Sequence, residues 1–300
     1  MTGGAAAPAR PRFAGPVPVD AHVHYHACFD PLAFLEGARG HFARVGCVQR
    51  RGEATLLGIL CFTESAGARG FASFAACAAA GAGTGPAGPT PHGWRLTSTA
   101  EARALLAWRG PEAILLLAGR QIVTAEGLEV LALGCARELP DGRPLGKTVE
   151  AVRAADALAV LPWGFGKWTG RRGRVVEAYL RDAAREVALG DNGGRPRRAP
   201  RPRLLTRAAA LGRVVLPGSD PLPFPSQTAA AGRYGFLLEG ELDAERPGRD
   251  LIDLLRGLER QPCTYGRLES WTGFLVSQLR MQWRRRRPRL ARRSSRPPEG

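Results

Sequence analysis

The chain has 300 residues, 44 % of them apolar, and a formal net charge of +16. That length suits one large domain or two ordinary ones, and the apolar fraction suits a globular core. Six scattered cysteines (Cys28, Cys47, Cys61, Cys77, Cys135 and Cys263) form no C-x-x-C pair, which argues against a zinc knuckle and a disulfide framework, and no apolar run is long enough to span a membrane.

Residues 1–16 read as a flexible leader rich in proline and alanine, and Met1 to Pro18 lacks the basic start and apolar centre of a signal peptide. The expected location is therefore cytoplasmic. Val17 to His24 reads as a first buried strand. Alternation on a strand puts Asp20, His22 and His24 on one face and Val19, Ala21 and Val23 on the other. Three of the five histidines, His22, His24 and His26, fall within five residues here. Two imidazoles two residues apart on one face can grip one metal ion.

Pro31 to Val45 has apolar residues at helical spacing behind Asp30 and Pro31, which together make a start signal. Ala54 to Phe62 is strand-sized and ends in Thr63-Glu64-Ser65, and Ala75 to Pro91 reads as a linker of small residues. Thr99 to Trp108 reads as helix, Ala113 to Ala118 as strand, and Gln121 to Thr124 with Glu129 to Leu133 as a hairpin turning at Glu126-Gly127. Helices follow at Lys147 to Ala157, Gly173 to Arg185, Leu204 to Leu211 and Asp250 to Glu259. Between them lie strands at Ala159 to Pro162, Val187 to Leu189 and Arg213 to Leu216, the last ending at Gly218-Ser219-Asp220.

Strands alternating with helices predict a parallel sheet covered by helices, with chemistry at the C-terminal strand ends. His22, His24, Glu64, Asp191 and Asp220 fall at such ends, a pattern that favours a barrel. The positive charge is nearly all arginine, since lysine occurs only at Lys147 and Lys167. It crowds a Pro-rich loop (Arg195, Arg197, Arg198, Arg201, Arg203, Arg207) and the C-terminal end (Arg284 to Arg287, Arg289, Arg292, Arg293, Arg296). Such runs are as a rule solvated extensions, and contact with nucleic acid through the terminal run is a weak accessory expectation.

Asp20-Ala21-His22-Val23-His24, Thr63-Glu64-Ser65, Gly119-Arg120-Gln121-Ile122 and Gly218-Ser219-Asp220, in that order, resemble the polymerase-and-histidinol-phosphatase (PHP) family of metal-dependent hydrolases. The resemblance implies an α/β fold, a distorted (β/α)7 TIM-like barrel with parallel strands, here one domain over 17–275 followed by an Arg-rich disordered tail over 276–300. It also implies divalent metal and phosphoester hydrolysis. His22 and His24 match the first ligand pair and Asp220 the late aspartate. Ser65, Gln121, Trp163 and Leu222 stand at or near positions where the family carries further ligands.

The residues that remain, His22, His24 and Asp220 joined by Glu64 or Asp191, would suffice for one Zn, Mn or Fe ion with a position open for water. Asp220 or Glu64, if unligated, is the candidate general base. Asp20 and His26 are expected behind the ligands, and Arg120 and Lys167 are candidates for holding a small anionic phosphoester. The expected activity is that of a one-metal hydrolase. The competing expectation is a degenerate barrel serving as a binding or regulatory protein.

Overall fold

The computed structural model describes residues 12–47, 49–51, 53–81, 93–182 and 187–294. After β1 (Arg12–Ala14), the buried strand β2 (Val17–Val23) leads into α1 (Pro31–Val45). Asp30 caps α1 by accepting a hydrogen bond from the Ala33 N–H at 2.7 Å, Pro31 opens its first turn, and Gly46 ends it in the left-handed region at φ 75°. Next come β3 (Gln49–Arg51), β4 (Ala54–Phe62) and α2 (Gly70–Gly81). The stretch predicted as a linker from Ala75 is thus helical as far as Gly81, because alanine has the strongest helix propensity of all residues. The rest of that prediction lies outside the described residues.

The chain continues through β5 (Arg95–Ser98), β6 (Ala104–Arg109), β7 (Glu112–Leu117), β8 (Gly119–Val123), β9 (Glu129–Leu133) and α3 (Leu145–Arg153). The helix expected over Thr99 to Trp108 is replaced by β6, which pairs antiparallel with both β5 and β7. Leu106 and Ala104 enter one core cluster and Leu105 and Ala107 another. A strand apolar on both faces loses the alternation that would have marked it. Then follow β10 (Leu158–Pro162), α4 (Gly170–Asp182), β11 (Ala188–Asn192), α5 (Arg203–Ala210), β12 (Val215–Gly218), β13 (Tyr234–Leu238), β14 (Glu241–Asp243), α6 (Pro247–Arg256), β15 (Thr264–Gly266) and α7 (Trp271–Ser294). The segment expected to be a disordered tail from 276 runs within α7 as far as Ser294.

Among the described residues these strands form two open sheets of ten and five strands, and no barrel closes. This corrects the parallel (β/α)7 barrel expected from the sequence. Within the larger sheet β2, β4 and β7 are parallel, but β13 pairs antiparallel with β2 over Val17–Val19. The edge of β2 that ring closure requires is therefore already hydrogen-bonded. In the smaller sheet β10, β11 and β12 are parallel, whereas β8 and β9 form an antiparallel hairpin.

The sheets share one apolar core, in which Val17, Val19, Ile59 and Leu115 from the larger meet Leu131, Val160 and Leu216 from the smaller. Phe34, Leu35, Phe42, Phe71 and Phe74 of α1 and α2 cover the other face of the larger sheet. Leu145, Val149, Val176, Leu180 and Leu205 of α3, α4 and α5 do the same for the smaller. The sheets also touch at two corners. At one, the Glu64 N–H donates to the Gly119 carbonyl at 3.1 Å and the Gln121 N–H to the Glu64 carbonyl at 2.8 Å. At the other, the Asp220 N–H donates to the His22 carbonyl at 2.8 Å.

Candidate metal centre

The second corner assembles three ligand-type side chains. His22 and His24 come from the end of β2 and the residue just past it, and Asp220 from the turn after β12. The two Nε2 atoms stand 3.1 Å apart, and Asp220 Oδ1 lies 3.6 Å from His22 Nε2 and 3.5 Å from His24 Nε2. One donor atom from each residue falls within 4.8 Å of the others, the one such group of three found among the described residues. Two imidazoles and a carboxylate converging on one point are the number and kind of donors that a catalytic zinc ion takes from protein.

Local backbone constraints hold the cluster. A Cβ on Gly218 would lie 2.4 Å from both the Cβ and the backbone nitrogen of His22, so only glycine lets β12 come this close. Asp220 sits at φ 47°, a left-handed conformation that aspartate tolerates better than most residues. Asp20, fully buried, accepts hydrogen bonds from the N–H groups of Ser219 (2.8 Å), Gly232 (2.8 Å) and His22 (3.2 Å). It therefore fixes the two backbone segments that carry the ligands rather than a ligand ring. Burial drives its carboxyl up to about 6 against those hydrogen bonds.

Electrostatics prepare the same atoms. Burial, reinforced by His22, pushes His24 down to about 3, so its ring is neutral near pH 7 with a lone pair to offer. Burial works to raise Asp220, but His22, His24, Lys167 and a hydrogen bond from Asn192 outweigh it and hold the group below the usual carboxylate range. The Asn192 side-chain N–H reaches Asp220 Oδ2, leaving Oδ1 toward the imidazoles. His26 stacks on His24 at 5.5 Å between ring centroids and contacts the Pro221 carbonyl through Nε2 at 3.0 Å. It stands beside the cluster.

The other two carboxylates proposed as ligands are engaged elsewhere. Asp191 takes a two-pronged bond from Arg195, Nη2 to Oδ2 at 2.9 Å and Nε to Oδ1 at 3.1 Å, and accepts the Tyr234 hydroxyl at 3.2 Å. Glu64 accepts the Phe71 N–H at the start of α2 at 2.8 Å and faces Arg120 Nη1 at 3.5 Å. Burial still raises its carboxyl above the ordinary value. Neither joins the cluster. Arg120 also bonds the Ala68 and Ala136 carbonyls, so it serves the Glu64 corner and not the site.

Lys167 does reach the site region. It pairs with Glu129 and lines a cleft of about 370 Å³ with Trp163, Phe165, Asn192, Asp220 and Phe274. Asn192 is the member that sequence reasoning missed. Successive strand residues point to opposite faces, so at the end of β11 the carboxylate of Asp191 turns toward Arg195 and the amide beside it toward Asp220. That alternation was the one available signal. The part α7 plays in walling the cleft, through Phe274, Ser277, Gln278 and Met281, had no sequence signal at all.

No protein-family model matches the chain and no curated protein matches it, so membership of the PHP family gains no support from that side. The crystal structure of PsfC from Pseudomonas syringae PB-5123 is similar in fold at a TM-score of 0.51. The likeness covers 89 % of this chain and 98 % of that one at 16 % identity. Among the described residues no helix is long and apolar enough to cross a membrane.

Proposed function

We propose that the chain is a hydrolase using one divalent ion, Zn, Mn or Fe, held by His22, His24 and Asp220, and that its substrate is a small phosphoester. The observation that carries this reading is the convergence of two imidazoles and a carboxylate, nearly two hundred positions apart, with the carboxylate of Asp220 also lining the cleft beside it. The D-x-H-x-H and G-S-D segments that resemble the PHP family are the ones that meet there. When bound, the ion supplies Lewis-acid activation of water and of the ester.

The chain's own residues do the rest. Asn192 orients the Asp220 carboxylate. Lys167 presents an ammonium group to an anionic substrate in the cleft, and Trp163 and Phe165 give that substrate an apolar wall. Glu64, held at α2 and Arg120, is not retained as a general base.

Purified protein is expected to carry roughly one equivalent of metal. His22→Ala and Asp220→Ala should each reduce that to below about a tenth and lower turnover of a generic aryl phosphate at least about a hundredfold. Metal content below a tenth in the native chain, unchanged by His22→Ala, would sink the proposal. The arginine pairing of Asp191 and Glu64 favours a second reading, a metal-containing binding protein. A stoichiometric metal load without turnover on any phosphoester would select it.

A further inference from the structure

Helix α7 is seated on the molecule by one side only. Phe274 is buried against Phe165 with ring centroids 5.1 Å apart, Arg280 bonds Ser226 Oγ at 3.4 Å and lies over the Phe224 ring, and Arg284 donates to the Pro223 carbonyl at 2.6 Å. Ser277, Gln278 and Met281 turn toward the cleft. The remaining side carries Trp271 (47 % exposed), Leu275 (54 %), Val276 (46 %), Leu279 (66 %) and Trp283 (58 %). Steps of four residues from 271 to 283 keep these side chains on one side of the helix. Five of the eight exposed large hydrophobic residues found among the described residues thus lie on this one helix. Surface helices ordinarily bury such an arc; here Leu275, Val276 and Leu279 stay exposed, while Trp271 touches the Phe274 ring at its edge.

The sequence of the same helix continues with arginine at 284, 285, 286, 287, 289, 292 and 293, and the whole chain carries +16. That charge decides the occupant. A second copy would bring an equal arginine run and an equal net charge against the first, a repulsive pairing. Nucleic acid would satisfy the arginines but gives an arc of Leu, Val and Trp nothing to enter. An anionic lipid surface satisfies both, since apolar and tryptophan side chains settle at the headgroup boundary while arginines meet the lipid phosphates. We infer that α7 docks the protein flat on an anionic membrane surface through Trp271, Leu275, Val276 and Leu279, without spanning it.

The test is flotation of the full chain with vesicles of phosphatidylcholine alone, and of phosphatidylcholine with phosphatidylglycerol, in about 0.1 M salt. Partitioning onto the anionic vesicles should be at least about tenfold stronger, should weaken as salt rises, and should fall at least about tenfold in the double variant Leu275→Glu, Leu279→Glu. Both positions are exposed, and a thermal melt checks that the variant folds. If it does not, tryptophan emission of the native chain decides: a blue shift on anionic vesicles supports the inference and an unchanged spectrum overturns it.

Equal binding to both vesicle types overturns it, as does a folded variant that binds as well as the native chain, since arginine attraction alone then suffices. A concentration-dependent dimer abolished by the variant, with no vesicle binding, assigns the arc to a second copy and also overturns it. Binding of an oligonucleotide in place of vesicles, unaffected by the variant, does the same.

Discussion

Three carboxylates, Asp220, Asp191 and Glu64, stand at or just past the C-terminal ends of β12, β11 and β4, and they have different fates. Asp191 and Glu64 each face a guanidinium, from Arg195 and Arg120, and each also receives a further donor. Asp220 faces two imidazoles, an amide and the charge of Lys167, none of which neutralises it in a fixed pair. A strand-end carboxylate is thus committed to structure where arginine reaches it. Where imidazoles and an amide reach it and no guanidinium does, it stays available to a cation. In a chain this rich in arginine, the useful comparison is between carboxylates that arginine has claimed and the one it has not.

That comparison breaks most visibly at Asp191. Arg195 and Asp191 are 7 % and 4 % exposed, so Asp191→Ala leaves a buried charge without its partner and should cost about 3–5 kcal/mol. Denaturant unfolding measures this, and metal content should not change. Pairing Asp191→Leu with Arg195→Met should recover most of the loss, because both uncompensated charges are then gone. A single variant that keeps its stability and loses metal would put Asp191 in the wrong group.

The next effect belongs to Asn192. Its amide fixes the Asp220 carboxylate as an outer partner fixes a metal ligand, and loss of such partners typically weakens metal binding about 10- to 100-fold. Asn192→Ala should do so in a chelator competition with little change in melting temperature. Unaltered affinity would mean that Asp220 is held without it.

The smallest effect is a pH dependence at Glu64. Its carboxyl is raised in the folded state, first by burial, so the folded chain holds that proton more tightly than the unfolded one. The stability it contributes is present below the unfolded value of 4.5 and is lost as pH rises through the folded value. Glu64→Gln removes this dependence and keeps an acceptor for the Phe71 N–H. Thermal melts from about pH 4 to about pH 7 should therefore show the variant gaining on the native chain as pH rises. A difference that stays flat, or grows toward acid, would contradict the buried, raised carboxyl.

Much of the candidate site could be read in advance. The D-x-H-x-H alternation and the Gly218-Ser219-Asp220 turn each announced ligand-type residues, and the structure brings them within coordination range of one another. What misled was residue type without partner. Glu64 and Asp191 have the same chemistry as Asp220, and their guanidinium partners come from β8 in one case and from the loop just past β11 in the other. The barrel failed for a related reason. Each local element read as strand or helix was compatible with a closed ring, but β13, returning antiparallel beside β2, took the edge that closure needed.

Periodicity, caps and turn residues are local, and they determined most of the elements here: α1 between Asp30 and Gly46, the hairpin turning at Glu126-Gly127, the apolar strands β4, β7 and β10. The identity of the ligand-bearing residues was likewise written in single short segments. Strand partners, the closure or opening of a sheet, and the meeting of Glu64 with Arg120 are contacts between segments far apart in the chain, whereas Asp191 and Arg195 are only four residues apart and pair through the direction their side chains take in the packed loop. They follow from competition among many apolar edges and guanidinium groups for the same neighbours. Only the packed molecule resolves that competition, and it alone separates Asp220 from Asp191.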